Sequence, residues 1–312
     1  MKDSWLKTLA GVVVGLSVLG GIWGFSQKEQ VLVSPFSGSI KSLGENLWFP
    51  KNHISDIRDQ NPEIRRISAK AAFFVNTNSG QVLYEKNPHE KLPVASLVKI
   101  MTVVLAMEYH SLEDKLTVSK KAADMEPDKM FLIPEEKLTV KELLYGIFMI
   151  SANDAAEVLA ESSTFSHEEF IRLMNDKALL LGMVNTKFVN PTGLDEDNGN
   201  SYSSAYDLAI LARYAIKKYP ELVEISKTPY RFIPETGEHQ SYEMYSGINL
   251  LTSYPEVVGF KTGFTPEAGL TLITLARKNG HEVIGVLLGS ENRRDEARNL
   301  LDYSFNKLGS LK

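Results

Sequence analysis

Val257-Val258-Gly259-Phe260-Lys261-Thr262-Gly263 is a β-like run that ends in a cation, a hydroxyl and a residue with no side chain. A strand of this kind offers an ammonium and a hydroxyl to a terminal carboxylate. The bare backbone at Gly263 lets an extended peptide pair along the strand edge. Standing alone, the run is a strand entering a turn. Two segments upstream change that reading. Ser96-Leu97-Val98-Lys99 lies near the start of an apolar helix pattern, and Ser151-Ala152-Asn153 lies at a break between two helix patterns. Lys-Thr-Gly is unique in the chain. Ser-x-x-Lys recurs at Ser304-Phe305-Asn306-Lys307, and Ser-x-Asn recurs at Ser290-Glu291-Asn292 and Ser304-Phe305-Asn306. Order and local setting therefore carry the specificity.

A serine hydroxyl is a weak nucleophile until a base takes its proton. Residues at i and i+3 share a helix face, so Lys99 is a neighbour of Ser96 if the helix runs through both. A lysine acts as a base only where burial or nearby positive charge favours its neutral form. The apolar setting and Lys261 supply those influences. Ser151, between two helices, is placed to relay a proton to a leaving amine. Asn153 offers an amide to a substrate carbonyl and to nearby side chains. An oxyanion hole would draw on the backbone N–H groups of Ser96 and Phe264. Each motif has a plain structural alternative: a helix-start serine with a surface lysine, a helix N-cap at Ser151 or Asn153, and a strand ending in a turn.

Outward from these motifs the chain alternates in type. Ala71 to Val75 and Gln81 to Tyr84 read as a hairpin around the turn cluster Asn76 to Gly80. Leu97, Ile100, Met101, Val104 and Leu105 mark a buried helix. Thr139-Val140-Lys141-Glu142 is a capping box opening a helix through Ile150. Further helices are predicted from about Asp154 to Glu161, from Ser166 to near Gly182, and from Ser204 to Lys218. Strand character returns near Val257, then at Leu270 to Ala276 and Val283 to Leu288, with the hairpin signal Asn279-Gly280 between the last two. Ala297, Leu300, Leu301 and Phe305 close the pattern as an amphipathic helix. This order predicts a mixed α/β fold: an antiparallel sheet flanked by helices, plus a helical lobe over about 100–240.

The chain has 312 residues, a net charge of -5, 43% hydrophobic residues and no cysteine. Those values describe a globular domain with a full core. They disfavour a nucleic-acid binder and exclude disulfides, thiol catalysis and Cys-ligated zinc. The six histidines are scattered and unclustered. Residues Thr8 to Gln27 carry no charge, and the apolar part to Phe25 is roughly 27 Å long as a helix. Lys2 and Lys7 precede it, which orients the N-terminus inward and the domain outward. Residues 1–27 are thus read as a transmembrane anchor, or as a signal segment whose best cleavage site, Gly24-Phe25-Ser26, is poor. Residues 28–65, punctuated by Pro35, Gly38, Gly44, Pro50 and Pro62, form an extracytoplasmic linker, with Trp48 and Phe49 placed to dock on the domain over 66–312.

With these residues in place, the chain resembles the D-alanyl-D-alanine carboxypeptidases, low-molecular-mass penicillin-binding proteins of the S11 serine peptidase type. The resemblance extends beyond the three motifs to Pro93-Val94-Ala95-Ser96, Asp154-Ala155-Ala156, Asn190-Pro191-Thr192-Gly193-Leu194, Tyr206-Asp207-Leu208 and Ala268-Gly269, and covers about 66 to 305. It implies the β-lactamase/transpeptidase-like fold, with Ser96, Lys99 and Ser151 as catalytic residues. Asn153, Lys261, Thr262, Gly263 and Phe264 would bind substrate. The implied substrate is the D-Ala-D-Ala end of a peptidoglycan stem peptide, with β-lactam antibiotics as covalent inhibitors and no metal or organic cofactor. Three departures stand out. Ala152 and Phe264 occupy positions where many relatives carry Gly and His, and the histidine of a His-Tyr pair is missing before Tyr202.

Rival readings are a D,D-endopeptidase or a β-lactamase of the same fold, and a non-catalytic wall-binding or sensor protein. No glutamate is assignable from sequence to the deacylating role of class A β-lactamases. Intact Ser96, Lys99, Ser151 and Lys261 argue against the sensor. Neither H-E-x-x-H nor G-x-S-x-G occurs.

Overall fold

The computed structural model describes residues 48–50, 64, 66–162, 166–197 and 199–309. The expected membrane helix over 1–27 and nearly all of the linker lie outside the described residues. Among those described, no helix is long and apolar enough to cross a membrane.

Strands β1 (Ala71–Asn76) and β2 (Val82–Lys86) form the predicted N-terminal hairpin. After the short β3 (Leu92–Pro93), a 3₁₀ turn, Ala95–Val98, runs into α1 (Lys99–Tyr109). Next come β4 (Lys115–Thr117), α2 (Lys120–Ala123), β5 (Lys137–Thr139), α3 (Val140–Ile150), α4 (Asn153–Glu161) and α5 (His167–Leu180). Then follow β6 (Tyr202–Ser203), α6 (Ala205–Lys218), α7 (Glu221–Ser226), β7 (Tyr230–Ile233), β8 (Tyr242–Tyr245) and α8 (Leu250–Ser253). The chain closes with β9 (Val257–Thr265), β10 (Gly269–Lys278), β11 (His281–Ser290) and α9 (Arg293–Gly309).

The main sheet has the order β2-β1-β11-β10-β9, antiparallel throughout, so β9 is an edge. Side chains alternate between two covered faces. On one, Ala72, Phe74, Leu272, Ala276, Val283 and Leu287 share a core with Ala297, Leu300 and Leu301 of α9. On the other, Phe73 meets Tyr206 of α6 edge-on, ring centroids 5.3 Å apart. Burial on both faces explains why β1 reads as an unbroken apolar run. Each fully buried Phe contributes roughly 1.5–3 kcal/mol of transfer free energy.

The helical lobe runs from α1 to α7 and carries two ribbons that the sequence does not announce, β4–β5 and β7–β8. β4 and β5 each hold one apolar residue, Leu116 opposite Leu138, which is too little to show a period. Trp48 docks as expected, its ring 4.6 Å from the Arg213 guanidinium. Phe49 lies against Gly182.

Candidate active site

Ser96 does not sit in the α-helix. It sits in the 3₁₀ turn before it, where side chains at i and i+3 eclipse. That tighter winding brings Lys99 Nζ to 2.7 Å from Ser96 Oγ. The turn is entered through Ala95 at φ 49, a left-handed conformation that costs a non-glycine residue about 1–2 kcal/mol. The loop Asn190–Leu194 packs behind it. Asn190 Oδ1 accepts from the Thr192 and Gly193 N–H groups, and Thr102 donates to Pro191 O at 2.6 Å. Lys99 Nζ donates to Thr192 O at 2.7 Å.

Lys99 is fully buried, and burial followed by the charge of Lys261 pushes its amine well below the ordinary lysine range. A neutral amine keeps one N–H for Thr192 O and turns its lone pair to the Ser96 hydroxyl. Ser96 is itself nearly buried. The reading of Ser96 as a helix-start serine beside a surface lysine does not survive this geometry.

Ser151 ends α3 in the left-handed conformation, φ 62, and Ala152, with no side-chain cap, starts α4. Neither Ser151 nor Asn153 is a helix N-cap; Ser151 is the C-cap of α3 and Asn153 is the first residue of α4. The Ser151 hydroxyl instead accepts from Lys261 Nζ at 2.9 Å, while the same amine donates to Thr262 O at 2.7 Å. Lys261 is 1% exposed. Burial, then Arg293, lowers its pKa to about 7, with Asp128 opposing.

The edge strand β9 packs against the Ser96 turn. A Cβ at Gly263 would meet Ser96 N at 3.0 Å and Ala95 Cβ at 3.2 Å, so only glycine lets the strand run this close to Ser96. Thr262 is half-buried, and the Phe264 ring is 61% exposed. Asn153 is less open than expected. Its Nδ2 donates to Pro127 O, which spends one of two N–H groups, and its buried Oδ1 has no partner among the described residues.

The structure adds residues that the motifs do not contain. Arg293 donates to Gly263 O at 2.6 Å and Thr271 O at 3.2 Å, clamping β9 to β10 beside Lys261. Asp128 favours the protonated forms of both Lys99 and Lys261, and Asp154 adds to it at Lys99. Asp154, wholly buried, accepts from the Met130 and Leu132 N–H groups at 3.0 and 3.2 Å and so pins the loop that carries Asp128. The duplicate motifs are structural. Ser304 donates to Leu300 O inside α9, and Ser290 donates to Glu296. Among the described residues no group of three acidic or histidine side chains is placed to hold a metal ion.

Burial lowers the proton affinity of both amines in the folded chain. Between pH about 7 and 10.5 the unfolded chain therefore binds more protons at Lys261, and stability from this group rises with pH across that window. Below pH 7 the full cost of the buried charge is borne. Lys261→Met is expected to raise the melting temperature most near pH 7, with the gain shrinking toward pH 10. Thermal melts followed by circular dichroism check this. A gain that grows with pH would show that Asp128 outweighs burial.

An antiparallel sheet beside a helical lobe, with a buried serine–lysine pair and a second lysine on the edge strand, is the arrangement of the transpeptidase-like fold, and its side chains are those that serine acyl transfer calls for. The comparisons agree. A family model described as D-alanyl-D-alanine carboxypeptidase, Peptidase S11, matches residues 57–292, and the chain belongs to that family. The D-alanyl-D-alanine carboxypeptidase DacF of Bacillus subtilis is 39% identical over 247 residues, which cover 77% of this chain and 62% of that protein. The chain thus spans less than two thirds of that relative's length. A D-alanyl-D-alanine carboxypeptidase of Streptomyces strain K15 is 32% identical, covering 77% of this chain and 88% of its own. Penicillin-binding protein D2 of Listeria monocytogenes, in its ampicillin-bound form, superposes with a TM-score of 0.67 at 32% identity, covering 77% of this chain and 98% of that one.

Proposed function

We propose that the chain is a serine-type D-Ala-D-Ala carboxypeptidase that removes the terminal D-alanine from peptidoglycan stem peptides. The observation that carries this is the contact of 2.7 Å between Ser96 Oγ and an amine that burial pushes well below the ordinary lysine range. Lys99 takes the Ser96 proton as Oγ attacks the carbonyl of the penultimate D-alanine. The oxyanion is held by the N–H groups of Ser96 and Phe264. Lys261 and Thr262 bind the terminal carboxylate, whose charge draws Lys261 back to its protonated form. Ser151, hydrogen-bonded to Lys261, relays the Ser96 proton from Lys99 to the leaving amine, which returns Lys99 to its neutral form. D-Alanine departs, and water, activated by Lys99, hydrolyses the ester on Ser96.

Incubation with a pentapeptide stem should release D-alanine, and labelled penicillin should map to Ser96. Release from a cross-linked dimer in place of the pentapeptide would favour the endopeptidase. Fast penicillin turnover without D-alanine release would favour the β-lactamase. The ampicillin-bound form of the Listeria relative supports binding of β-lactams. Residues 1–27 hold the domain on the outer side of the cell membrane. N-terminal sequencing of membrane-purified protein tests this, and a mature start near Gln27 would refute it.

If only the backbone N–H of Phe264 serves the oxyanion, its exposed ring is dispensable. Phe264→His should retain penicillin acylation within about tenfold, ~1.4 kcal/mol in barrier. A larger loss, with the fold intact by circular dichroism, would show that the ring shapes the site.

A further inference from the structure

The ribbon β7–β8 presents two different faces. Ile233, Tyr242 and Met244 point inward and are buried, and Tyr242 donates its hydroxyl to Glu136. Tyr230, Phe232 and Tyr245 lie on the outer face at 46%, 51% and 66% exposure. Tyr230 stands opposite Tyr245 and Phe232 opposite Glu243 in the ladder, so all four share one surface. The two tyrosine rings pack at 4.9 Å with a tilt of 46°. Both hydroxyls donate to Glu243 Oε1 at 3.2 Å. Glu243 Oε2 has no partner among the described residues.

Single exposed apolar side chains need no explanation, but three neighbouring aromatic rings, two of them fixed by a shared carboxylate, do. The inward residues already hold the ribbon, so the outer rings are not required for packing. Position supplies the second argument. β8 leads through Ser246 to Gly247, whose N–H donates to Met149 O at 2.8 Å, two residues before Ser151. Gly247 and Thr262 line one small cavity, together with Ile248 and Arg293. The platform therefore starts at the rim of the active site and extends about 7 Å along β8 from Tyr245 to Glu243, at roughly 3.3 Å per residue.

We propose that this face binds the glycan strand carrying the stem peptide, with Tyr230, Tyr245 and Phe232 stacking on N-acetylated pyranose rings and Glu243 accepting from their hydroxyl or acetamido N–H groups. The proposal rests on the carboxypeptidase reading above. A pyranose has an apolar C–H face and a polar rim, which match an aromatic face bordered by a carboxylate. An anionic lipid surface would ask for a basic patch. Here the carboxylate faces outward, and the neighbouring Arg231 is turned over the Tyr145 ring at 4.7 Å.

The test compares the full chain with a triple variant, Tyr230→Thr, Phe232→Thr and Tyr245→Thr, in which threonine keeps β-propensity and removes the rings. D-Alanine release from free pentapeptide should stay within about twofold, because no ring touches the reacting bond. On uncross-linked glycan chains bearing the same pentapeptide, KM should rise about tenfold or more with kcat unchanged, reflecting three lost ring contacts. Separately, a peptide-free N-acetylglucosamine tetramer added to Ser96→Ala protein should shift the tyrosine ring resonances. That shift should weaken in Glu243→Gln and vanish in the triple variant. Equal KM on both substrates in the triple variant, or no shift with the tetramer, overturns the proposal. So does triple-variant-sensitive binding to phosphatidylglycerol vesicles without tetramer binding, which would assign the face to lipid. Failure of the native chain to release D-alanine from free pentapeptide would instead sink the carboxypeptidase reading, while the tetramer measurement stands apart from it.

Discussion

Ser96→Ala and Lys99→Arg are expected to converge on the same loss of penicillin acylation, on the order of 10⁴-fold or more, as removal of one member of a concerted unit does. The first removes the attacking oxygen. The second keeps a cation but cannot supply a lone pair, because a guanidinium does not deprotonate in a protein. Lys99 has no room for a larger, permanently charged head, since it is fully buried between Ser96 Oγ and Thr192 O. Lys99→Met separates chemistry from folding. It removes a buried amine whose charged form is disfavoured, so it should fold at least as well as the native chain at pH 7 and still fail to acylate. Labelling with a fluorescent penicillin reads the rate, and circular dichroism reads the fold. Wild-type acylation in Lys99→Arg would remove Lys99 as the base.

The sheet and its helices were legible because their periods are long. β10 and β11 each run over ten residues around Asn279-Gly280, and α6 keeps an apolar face for its full length. The candidate serines, Ser96 and Ser151, were legible as residues but not in their local geometry. An i, i+3 pair on an α-helix and the same pair in a 3₁₀ turn have one sequence pattern. The choice of the tighter turn depends on Ala95 in the left-handed region, with Gly193 packed so close behind that a Cβ there would meet the Ala95 carbonyl. Similarly, Ser151 looks like an N-cap by composition. It is a left-handed C-cap because Lys261, far along the chain, takes its hydroxyl.

What the sequence hid is carried by contacts between distant segments. Arg293 lies at the start of a helix in a run of polar residues, and only the sheet order β11-β10-β9 brings it across to Gly263. Asp128 lies in a segment with no period, and its position follows from Asp154 and Asn153 binding the backbone around it. The ribbon β7–β8, with β7 inside the expected helical lobe and β8 just past its end, escaped notice because its aromatic residues occur on both faces, which blurs the alternation that marks a half-buried strand.

Gly193→Ala tests whether the loop behind Ser96 sets the nucleophile. Gly193 has φ 82, and a Cβ there would stand 2.0 Å from Ala95 O, 2.5 Å from Ala95 C and 3.1 Å from Ser96 N. These are backbone atoms of the turn itself, so no flexible side chain can yield. Either the loop lifts, taking Thr192 O from Lys99, or the turn shifts and moves Ser96. A displacement near 1 Å at a reacting group costs about 10²-fold in rate. Stability should fall by about 3 kcal/mol or more, at the upper end of single substitutions. Gly280→Ala is the matched control. Its φ is 78, nothing lies within 4 Å of the added Cβ, and it sits in the β10–β11 turn. It carries the left-handed strain alone, about 1–2 kcal/mol, and should leave acylation untouched. Thermal melts and penicillin acylation rates on both variants decide the matter. If Gly193→Ala costs no more than Gly280→Ala and acylates normally, the contact with Ala95 does not set the nucleophile, and the left-handed turn holds Ser96 in place by itself.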